Sequence, residues 1–186
     1  MNVYDFDHTI YAGDSSWDFY FFVLRHKLSL VFLWPRQIWH TTLYLLRLIS
    51  KEQLKETFFV FLKYIQPPDY YIRLFWQKNF SKIKSWYLQQ KRPSDLVITA
   101  SPEFLIAPAA QILQVSLLGS QVDKTTGNFR GKNCSGLEKT AKFRKQYPEQ
   151  IIENFYTDSK SDLPLARLAK HVFLVKGRHL LDYPFL

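Results

Sequence analysis

Four short apolar runs, each rich in β-branched or aromatic residues, constrain the fold of this chain more than any other feature. Runs of this length and composition are typical of strands buried in a parallel sheet. Segments with helical spacing of apolar residues separate the later runs, and strands that alternate with helices predict a doubly wound α/β fold. The strands are expected at residues 2–6, 96–99, 154–157 and 171–175, and the helices at residues 103–113, 136–146 and 161–169.

Residues 15–92 differ in character from the rest of the chain. They hold 13 Lys and Arg against 4 Asp and Glu, whereas the other 108 residues hold 12 of each. They also carry 20 of the 32 aromatic residues and all five Trp. Apolar spacing of three and four predicts an all-helical insertion, broken at Pro35, Pro67 and Pro68. The expected helices are 17–26, 28–48, 51–65 and 69–89, and they form a cap inserted in a core of residues 1–14 and 93–186.

Cysteine content and hydropathy limit the remaining possibilities. Cys134 is the single cysteine, so the chain has no intramolecular disulfide and no zinc site built from cysteines alone. The first residues lack the basic and apolar regions of a secretory signal, and the longest charge-free run, residues 104–122, contains Gln, Ser, Pro and Gly. We therefore expect no membrane-spanning segment and a cytoplasmic location. Turn-forming residues predict a small hairpin outside the sheet at residues 124–131.

Asp5 and Asp7 are the first candidate functional residues. They are two positions apart at the end of the first strand, so their side chains project from the same face. Two such carboxylates repel each other unless a cation lies between them or one keeps its proton, and Mg²⁺ prefers oxygen ligands of this kind. An isolated Asp-x-Asp is more often an exposed turn, so further residues must decide the interpretation.

Other polar residues follow later strands. Thr99 ends the second strand beside a predicted helix start, a position that suits an anion. Lys139 lies in the first turns of a helix, and Asp158 and Asp162 follow another strand. Taken singly, each is an ordinary capping or surface residue. Because ligands of open α/β sheets bind at the carboxyl ends of the strands, these segments are expected to converge on one crevice.

The ordered set Asp5-Phe6-Asp7-His8-Thr9, Thr99, Lys139 and Asp158 with Asp162 resembles the four motifs of the haloacid dehalogenase (HAD) superfamily. The helical insertion after the first motif resembles the C1 cap of its subfamily IB, the phosphoserine-phosphatase-like branch. The resemblance extends over residues 3–165. It implies a HAD-like, Rossmann-like core with a C1 cap, Mg²⁺ as cofactor and phosphomonoester hydrolysis through an aspartyl phosphate.

The resemblance also implies roles for the acidic residues. Asp5 would be the nucleophile that attacks phosphorus, and Asp7 would protonate the leaving oxygen and then deprotonate the attacking water. The metal would be held by Asp5, by the backbone carbonyl of Asp7 and by Asp158. Thr9 would support this group within the first motif.

The same resemblance implies that Thr99 and Lys139 hold the phosphoryl oxygens, and that Asp162 orients the metal site or Lys139. Three departures bear on the substrate. His8 stands where phosphoserine phosphatases usually have a small residue, Asp14 aligns with a Glu that contacts the substrate amine, and Ala100-Ser101 replaces Gly-Gly. His8, Asp14 and Ser101 are therefore candidate substrate contacts, and the departures weaken phosphoserine as the specific substrate.

The basic, aromatic insertion leaves several functions open. Its charges are most simply solvated helix faces and its aromatic residues a packing core. The resemblance implies a phosphatase of a small, phosphoserine-like phosphorylated metabolite, and nothing in the sequence indicates an obligatory protein partner. A lipid phosphate at a membrane surface is an alternative, since cations favour anionic headgroups. A nucleic-acid binding module is another, but it would not need carboxylates at both Asp5 and Asp158. A phosphotransferase would use the same intermediate with a different acceptor.

Overall fold

A six-stranded sheet runs through the part of the chain that the computed structural model describes, residues 1–182. The spatial order is β3-β2-β1-β4-β5-β6; the neighbouring pairs are parallel except β5 with β6. The predicted α/β class and all four predicted strands are confirmed. The strands are β1 Val3–Tyr4, β2 Leu96–Pro102, β3 Ser116–Ser120, β4 Ile152–Thr157, β5 Ala169–Lys176 and β6 His179–Asp182.

Five α-helices lie between β1 and β2, which confirms the predicted helical insertion. Pro35 does not break a helix of residues 28–48; it lies in the first turn of α2, where its missing N–H leaves no hydrogen bond unmade. The preceding residues form a 3₁₀ segment, Leu28–Leu33, and the helices predicted at 51–65 and 69–89 are divided by 3₁₀ segments in the same way. The inserted helices are α1 Ser15–His26, α2 Trp34–Leu45, α3 Lys51–Phe59, α4 Pro68–Asn79 and α5 Ser85–Gln90.

Three α-helices follow in the rest of the described chain: α6 Glu103–Leu113, α7 Leu137–Gln146 and α8 Leu163–Ala166. The first two match the predicted helices. The helix predicted at 161–169 is wrong in extent, because a 3₁₀ turn at Lys160–Asp162 precedes α8 and Ala169 already pairs with Ile152 in the sheet. Pro164 suits the first turn of α8, so this helix starts at Leu163 and spans only four residues.

Aromatic side chains join the inserted helices to the sheet. Trp76 of α4 is buried and packs edge-on against Phe6, with ring centroids 6.0 Å apart. Its Nε1 donates to the carbonyl oxygen of Leu105 in α6 at 2.6 Å. The ring of Tyr4 in β1 lies between those of Tyr87 and Tyr156. The boundaries of core and cap at residues 14/15 and 92/93 stay a prediction, and residues 183–186 of that core lie outside the described residues.

The turn-rich segment forms a hairpin slightly earlier than predicted. Val122 and Phe129 make an antiparallel bridge, and Asp123 N donates to the Asn128 carbonyl at 2.8 Å. Gly127 has a φ of +80°, and a Cβ there would lie 2.4 Å from the Phe59 carbonyl oxygen. A glycine is needed where this hairpin meets α3. No helix within residues 1–182 combines the length and the apolar character needed to cross a membrane.

Candidate active site

A cavity of about 400 Å³ lies at the carboxyl ends of β1, β2 and β4, with the inserted helices α1 and α3 on its other side. It is the place where the predicted site residues come together. Thr9 does not line the cavity, but its hydroxyl donates to Asp158 Oδ1 at 3.3 Å. The predicted site residues that do line it are Asp5, Asp7, His8, Asp14, Thr99, Ser101, Lys139, Asp158 and Asp162.

Asp5 follows β1 directly, and its backbone N–H continues the sheet by donating to the Tyr156 carbonyl at 2.9 Å. Its side chain is buried. Oδ1 accepts from the backbone N–H of Phe6 and from Lys139 Nζ, each at 2.8 Å. Within residues 1–182, Oδ2 has no hydrogen-bond partner, so one carboxylate oxygen is fixed by the protein and the other is available for chemistry.

Lys139 lies in α7 and is 2% exposed. Its Nζ lies between Asp5 Oδ1 and Asp162 Oδ2, at 2.8 and 2.7 Å. Thr157 Oγ1 donates to the same Asp162 oxygen at 2.9 Å, which holds that carboxylate in place. Burial disfavours the ammonium, but the two carboxylates outweigh this and raise the pKa of Lys139 above its ordinary value. An ammonium has three donors, so the third can bind a further oxygen.

Hydrogen bonds from α1 and from β2 hold the Asp7 carboxylate in place. Oδ1 accepts from the backbone N–H of Ser15 at the start of α1 at 2.7 Å, and Oδ2 accepts from Ser101 Oγ of β2. Burial raises the pKa of Asp7 to about 6 and the charge of Asp14 adds to the rise, while the Ser101 and Ser15 hydrogen bonds oppose it. A carboxyl group whose pKa lies near neutrality can both give and take a proton, as general acid–base catalysis needs.

Thr99 is buried at the carboxyl end of β2, and its Oγ1 accepts from the backbone N–H of Ser101 at 3.0 Å. A hydroxyl also has one hydrogen to donate. Because the backbone hydrogen bond occupies an acceptor position of Oγ1, the donor remains for an anion in the cavity.

Asp14 and His8 are two of the three candidate substrate contacts, and both line the cavity. Asp14 is the N-cap of α1, and its Oδ1 accepts from the backbone N–H groups of Ser16 and Trp17 at 2.9 and 3.0 Å. His8 is exposed at the edge of the cavity and has a φ of +56°. Glycine adopts this left-handed conformation most easily, so a histidine at this position carries backbone strain.

The charge balance of the cavity suits a cation. Five Asp and three Lys line it, and burial raises the pKa of Asp5 to about 8 despite the neighbouring Lys139. Within the described part of the chain, no three His, Cys, Asp or Glu side chains group closely enough to hold a metal by themselves. Mg²⁺ usually takes only one or two carboxylates and completes its shell with carbonyl, water and phosphate oxygens. Asp5 and Asp158 with the Asp7 carbonyl fit that requirement.

Lys55 is a cavity residue that lies outside the four motifs. This α3 residue lines the cavity, and its Nζ donates to the Ala100 carbonyl at 3.0 Å and to Asn133 Oδ1 at 2.8 Å. Burial, together with the charge of Lys51, lowers the pKa of Lys55 to about 8. In the sequence it is one of 13 Lys and Arg residues in the insertion. It faces the cavity because of the way α3 packs on the core.

The wall that the insertion contributes is mostly aromatic. It comes from α1, α2, α3 and the residues just after α3, and it faces the carboxylates across the cavity. Its large apolar members are Trp17, Tyr20, Tyr44, Leu54, Phe58, Phe59 and Phe61.

The family model for haloacid dehalogenase-like hydrolases matches residues 3–167, so the chain belongs to that family. A solved protein of unknown function from Bordetella pertussis Tohama I has a TM-score of 0.76 and 18% identity, covering 92% of this chain and 87% of that one. A phosphoserine phosphohydrolase-like protein from Francisella tularensis subsp. tularensis SCHU S4 has a TM-score of 0.56 and 16% identity, covering 92% and 86%. Identities this low show a shared fold. A search of curated proteins finds no significant match.

Proposed function

We propose that the protein is a Mg²⁺-dependent phosphomonoester hydrolase that uses Asp5 as its nucleophile. The observation that carries the proposal is the asymmetry of the Asp5 carboxylate. Lys139 and a backbone N–H hold Oδ1, while Oδ2 has no partner within the described residues. A nucleophile needs this combination of a fixed orientation and one available oxygen.

In the first half of the reaction, Asp5 Oδ2 attacks phosphorus and the bond from phosphorus to the ester oxygen breaks. Asp7 donates its proton to the leaving oxygen, so an alcohol departs and an aspartyl phosphate remains. Thr99 and the third donor of Lys139 bind the phosphoryl oxygens, where negative charge accumulates in the transition state.

In the second half, Asp7 is a carboxylate and takes a proton from water as the water attacks phosphorus. The bond between phosphorus and Asp5 breaks, which releases inorganic phosphate and restores both carboxyl groups. The hydrogen bonds from Ser15 and Ser101 keep Asp7 in one orientation through both steps. The raised pKa of Asp7 lets one residue serve as acid and then as base.

Asp5, Asp158 and the backbone carbonyl of Asp7 would hold Mg²⁺. When bound, the ion neutralises charge between the nucleophile and the phosphoryl group. Its charge also opposes the effect of burial on Asp5 and so favours the ionised, nucleophilic form. Thr9 keeps Asp158 oriented through its hydroxyl.

The lining of the cavity bears on the alcohol part of the substrate. Phosphoserine, which the HAD resemblance and the phosphoserine phosphohydrolase-like neighbour suggest testing, carries an amine and a carboxylate. Asp14 could meet the amine, but its Oδ1 already caps α1. The aromatic wall instead favours esters whose alcohol is apolar beside the phosphate. Lipid phosphates are therefore a second candidate substrate class.

The proposal is tested with Asp5→Asn, assayed with Mg²⁺ on phosphoserine, aryl phosphates and a short-chain lipid phosphate. Loss of the nucleophile should lower turnover of every substrate by at least about 10³-fold. Asp69→Asn is the matched control, because Asp69 is exposed and pairs only with Lys124 within residues 1–182. Turnover by Asp5→Asn at the rate of the control would overturn the proposal. Adding glycerol as a phosphoryl acceptor separates hydrolysis from phosphotransfer.

A further inference from the structure

Apolar side chains are exposed mainly on one part of the molecule. Of the twenty large apolar residues that are exposed within residues 1–182, twelve lie between positions 17 and 48. We call this the 17–48 surface; it comprises the outer sides of α1 and α2 and the 3₁₀ segment between them. Leu28, Ile38, Trp39, Leu45 and Leu46 are each more than 60% exposed. Clustered exposure of this kind marks an interaction site.

The charge of this surface has one sign. Between Asp18 and Glu52 the sequence contains Arg25, Lys27, Arg36, Arg47 and Lys51 and no acidic residue. Asp18 itself is neutralised by Lys82 at 2.9 Å. Trp, Phe and Leu side chains together with cations are the composition of helices that lie in a membrane interface. The complementary partner is an apolar layer with an anionic surface.

The 17–48 surface continues into the cavity. Trp17 and Tyr44 line the cavity and are also 43% and 36% exposed on this surface. A partner that covers the surface would therefore lie next to the opening of the cavity. This connection distinguishes the 17–48 surface from apolar residues exposed singly elsewhere, such as Ile112 and Ile151.

We propose that the 17–48 surface docks on an anionic lipid bilayer, with its Trp, Phe and Leu side chains in the headgroup region and the cavity opening toward the lipid. A second copy of the chain is a poorer occupant, because a two-fold contact would bring the same acid-free cationic surface against itself. Docking does not depend on the reaction proposed above. Its test therefore measures binding and uses no substrate.

The experiment is sedimentation of the full-length protein with phosphatidylcholine vesicles containing about 30 mol% phosphatidylglycerol. Ile38→Ser with Leu45→Ser removes two exposed aliphatic side chains and should lower the partition coefficient by about tenfold or more. The matched control is Ile112→Ser with Ile151→Ser, which should bind within about twofold of the wild type. Circular dichroism and thermal unfolding establish that each variant is folded.

A second pair tests the charge. Arg36→Gln with Arg47→Asn removes two exposed cations, and Asn tolerates the φ of +61° at position 47. Binding should fall about tenfold or more, since each cation near an anionic surface contributes about fivefold. Arg144→Gln with Lys145→Asn, in the last turn of α7, is the control and should have little effect.

Four outcomes would overturn the proposal. The wild-type protein could fail to sediment with anionic vesicles at low salt. The control pair, Ile112→Ser with Ile151→Ser, could reduce binding as much as Ile38→Ser with Leu45→Ser does, which would mean that adhesion is non-specific. The protein could form a dimer that Ile38→Ser with Leu45→Ser dissociates, without vesicle binding, which would identify the occupant as a second copy. Binding to a soluble protein without vesicle binding would equally contradict a lipid surface.

Discussion

Lys55 provides a sharp prediction, because stability and activity should respond to its replacement in opposite directions. Lys55→Met removes an ammonium that burial and Lys51 disfavour. The pKa falls from 10.5 to about 8, and a change of this size corresponds to a folding penalty of about 3 kcal/mol for the charged form. That penalty is fully present below pH 8 and disappears as pH rises to 10.5.

The variant also loses the hydrogen bonds of Lys55 to the Ala100 carbonyl and to Asn133 Oδ1, at about 1 kcal/mol each. Ser120 Oγ has one hydrogen and lies 2.9 Å from the Ala100 carbonyl and 3.2 Å from Asn133 Oδ1, so it can serve one of these two acceptors, and Ala100 itself lines the cavity. We therefore expect Lys55→Met to be more stable than the wild type by about 1 kcal/mol at pH 7 and less stable at pH 10. Urea unfolding followed by Trp fluorescence measures both values.

The activity of Lys55→Met should fall, although its stability at pH 7 should rise. Lys55→Met should lower kcat/KM for phosphomonoesters, because a cation at the edge of the phosphate site is lost. The KM of the wild type should rise above pH 8 as Lys55 loses its charge, and the KM of the variant should not follow. Lys63→Met, an exposed replacement on the same insertion, should change stability by less than about 0.5 kcal/mol. A loss of more than 2 kcal/mol at pH 7 in Lys55→Met, with unchanged kcat/KM, would mean that the Lys55 charge stabilises the fold and does not assist substrate binding.

Three further replacements separate structural from chemical roles. His8→Gly should be more stable than His8→Ala by about 1 kcal/mol in thermal unfolding, because the φ of +56° strains any residue with a Cβ; equal stability would argue against that strain. Asp14→Ala should lose about 1 kcal/mol and Asp14→Asn much less, since Asn also caps helices; equal losses would mean that the cap contributes little. Thr99→Val should lower kcat/KM by about 10²-fold on chemically different substrates alike, and an effect confined to one substrate would place Thr99 away from the phosphoryl group.

The sheet could be predicted where its strands carry a strong apolar signal. The runs at β2, β4 and β5 contain enough apolar residues to be recognised as strands, and their alternation with helices predicts the α/β class. β3, Ser116–Ser120, contains only Leu117 and Leu118 as large apolar residues, so its pairing with β2 decides its conformation. β6 is exposed throughout and exists because a turn returns the chain antiparallel to β5. Strand pairing of this kind depends on tertiary contacts, which the local apolar pattern does not reveal.

Some residues of the site could likewise be predicted from the sequence, and others could not. Asp5, Asp7 and Lys139 could be recognised from the sequence because they stand in the order of the HAD motifs, at the ends of predicted strands and near the start of a predicted helix. Lys55 carries no motif signal, because one inward-facing lysine looks like any other on a basic helix. The sequence did not indicate the exposure of Trp39 and Ile38 either, because the aromatic residues of the insertion were expected to form a packing core. In the structure only Gln37 of α2 is buried.

We expect the phosphoryl group to be transferred first to Asp5, and trapping the aspartyl phosphate measures that step. Asp7→Asn should be mixed with p-nitrophenyl phosphate and Mg²⁺, because this leaving group needs no proton while water attack still lacks its base. We predict a burst of about one p-nitrophenolate per enzyme, and acid-quenched protein that carries a phosphoryl group on the peptide containing Asp5. Turnover without a burst, or a phosphoryl group on any other residue, would mean that Asp5 is not the nucleophile.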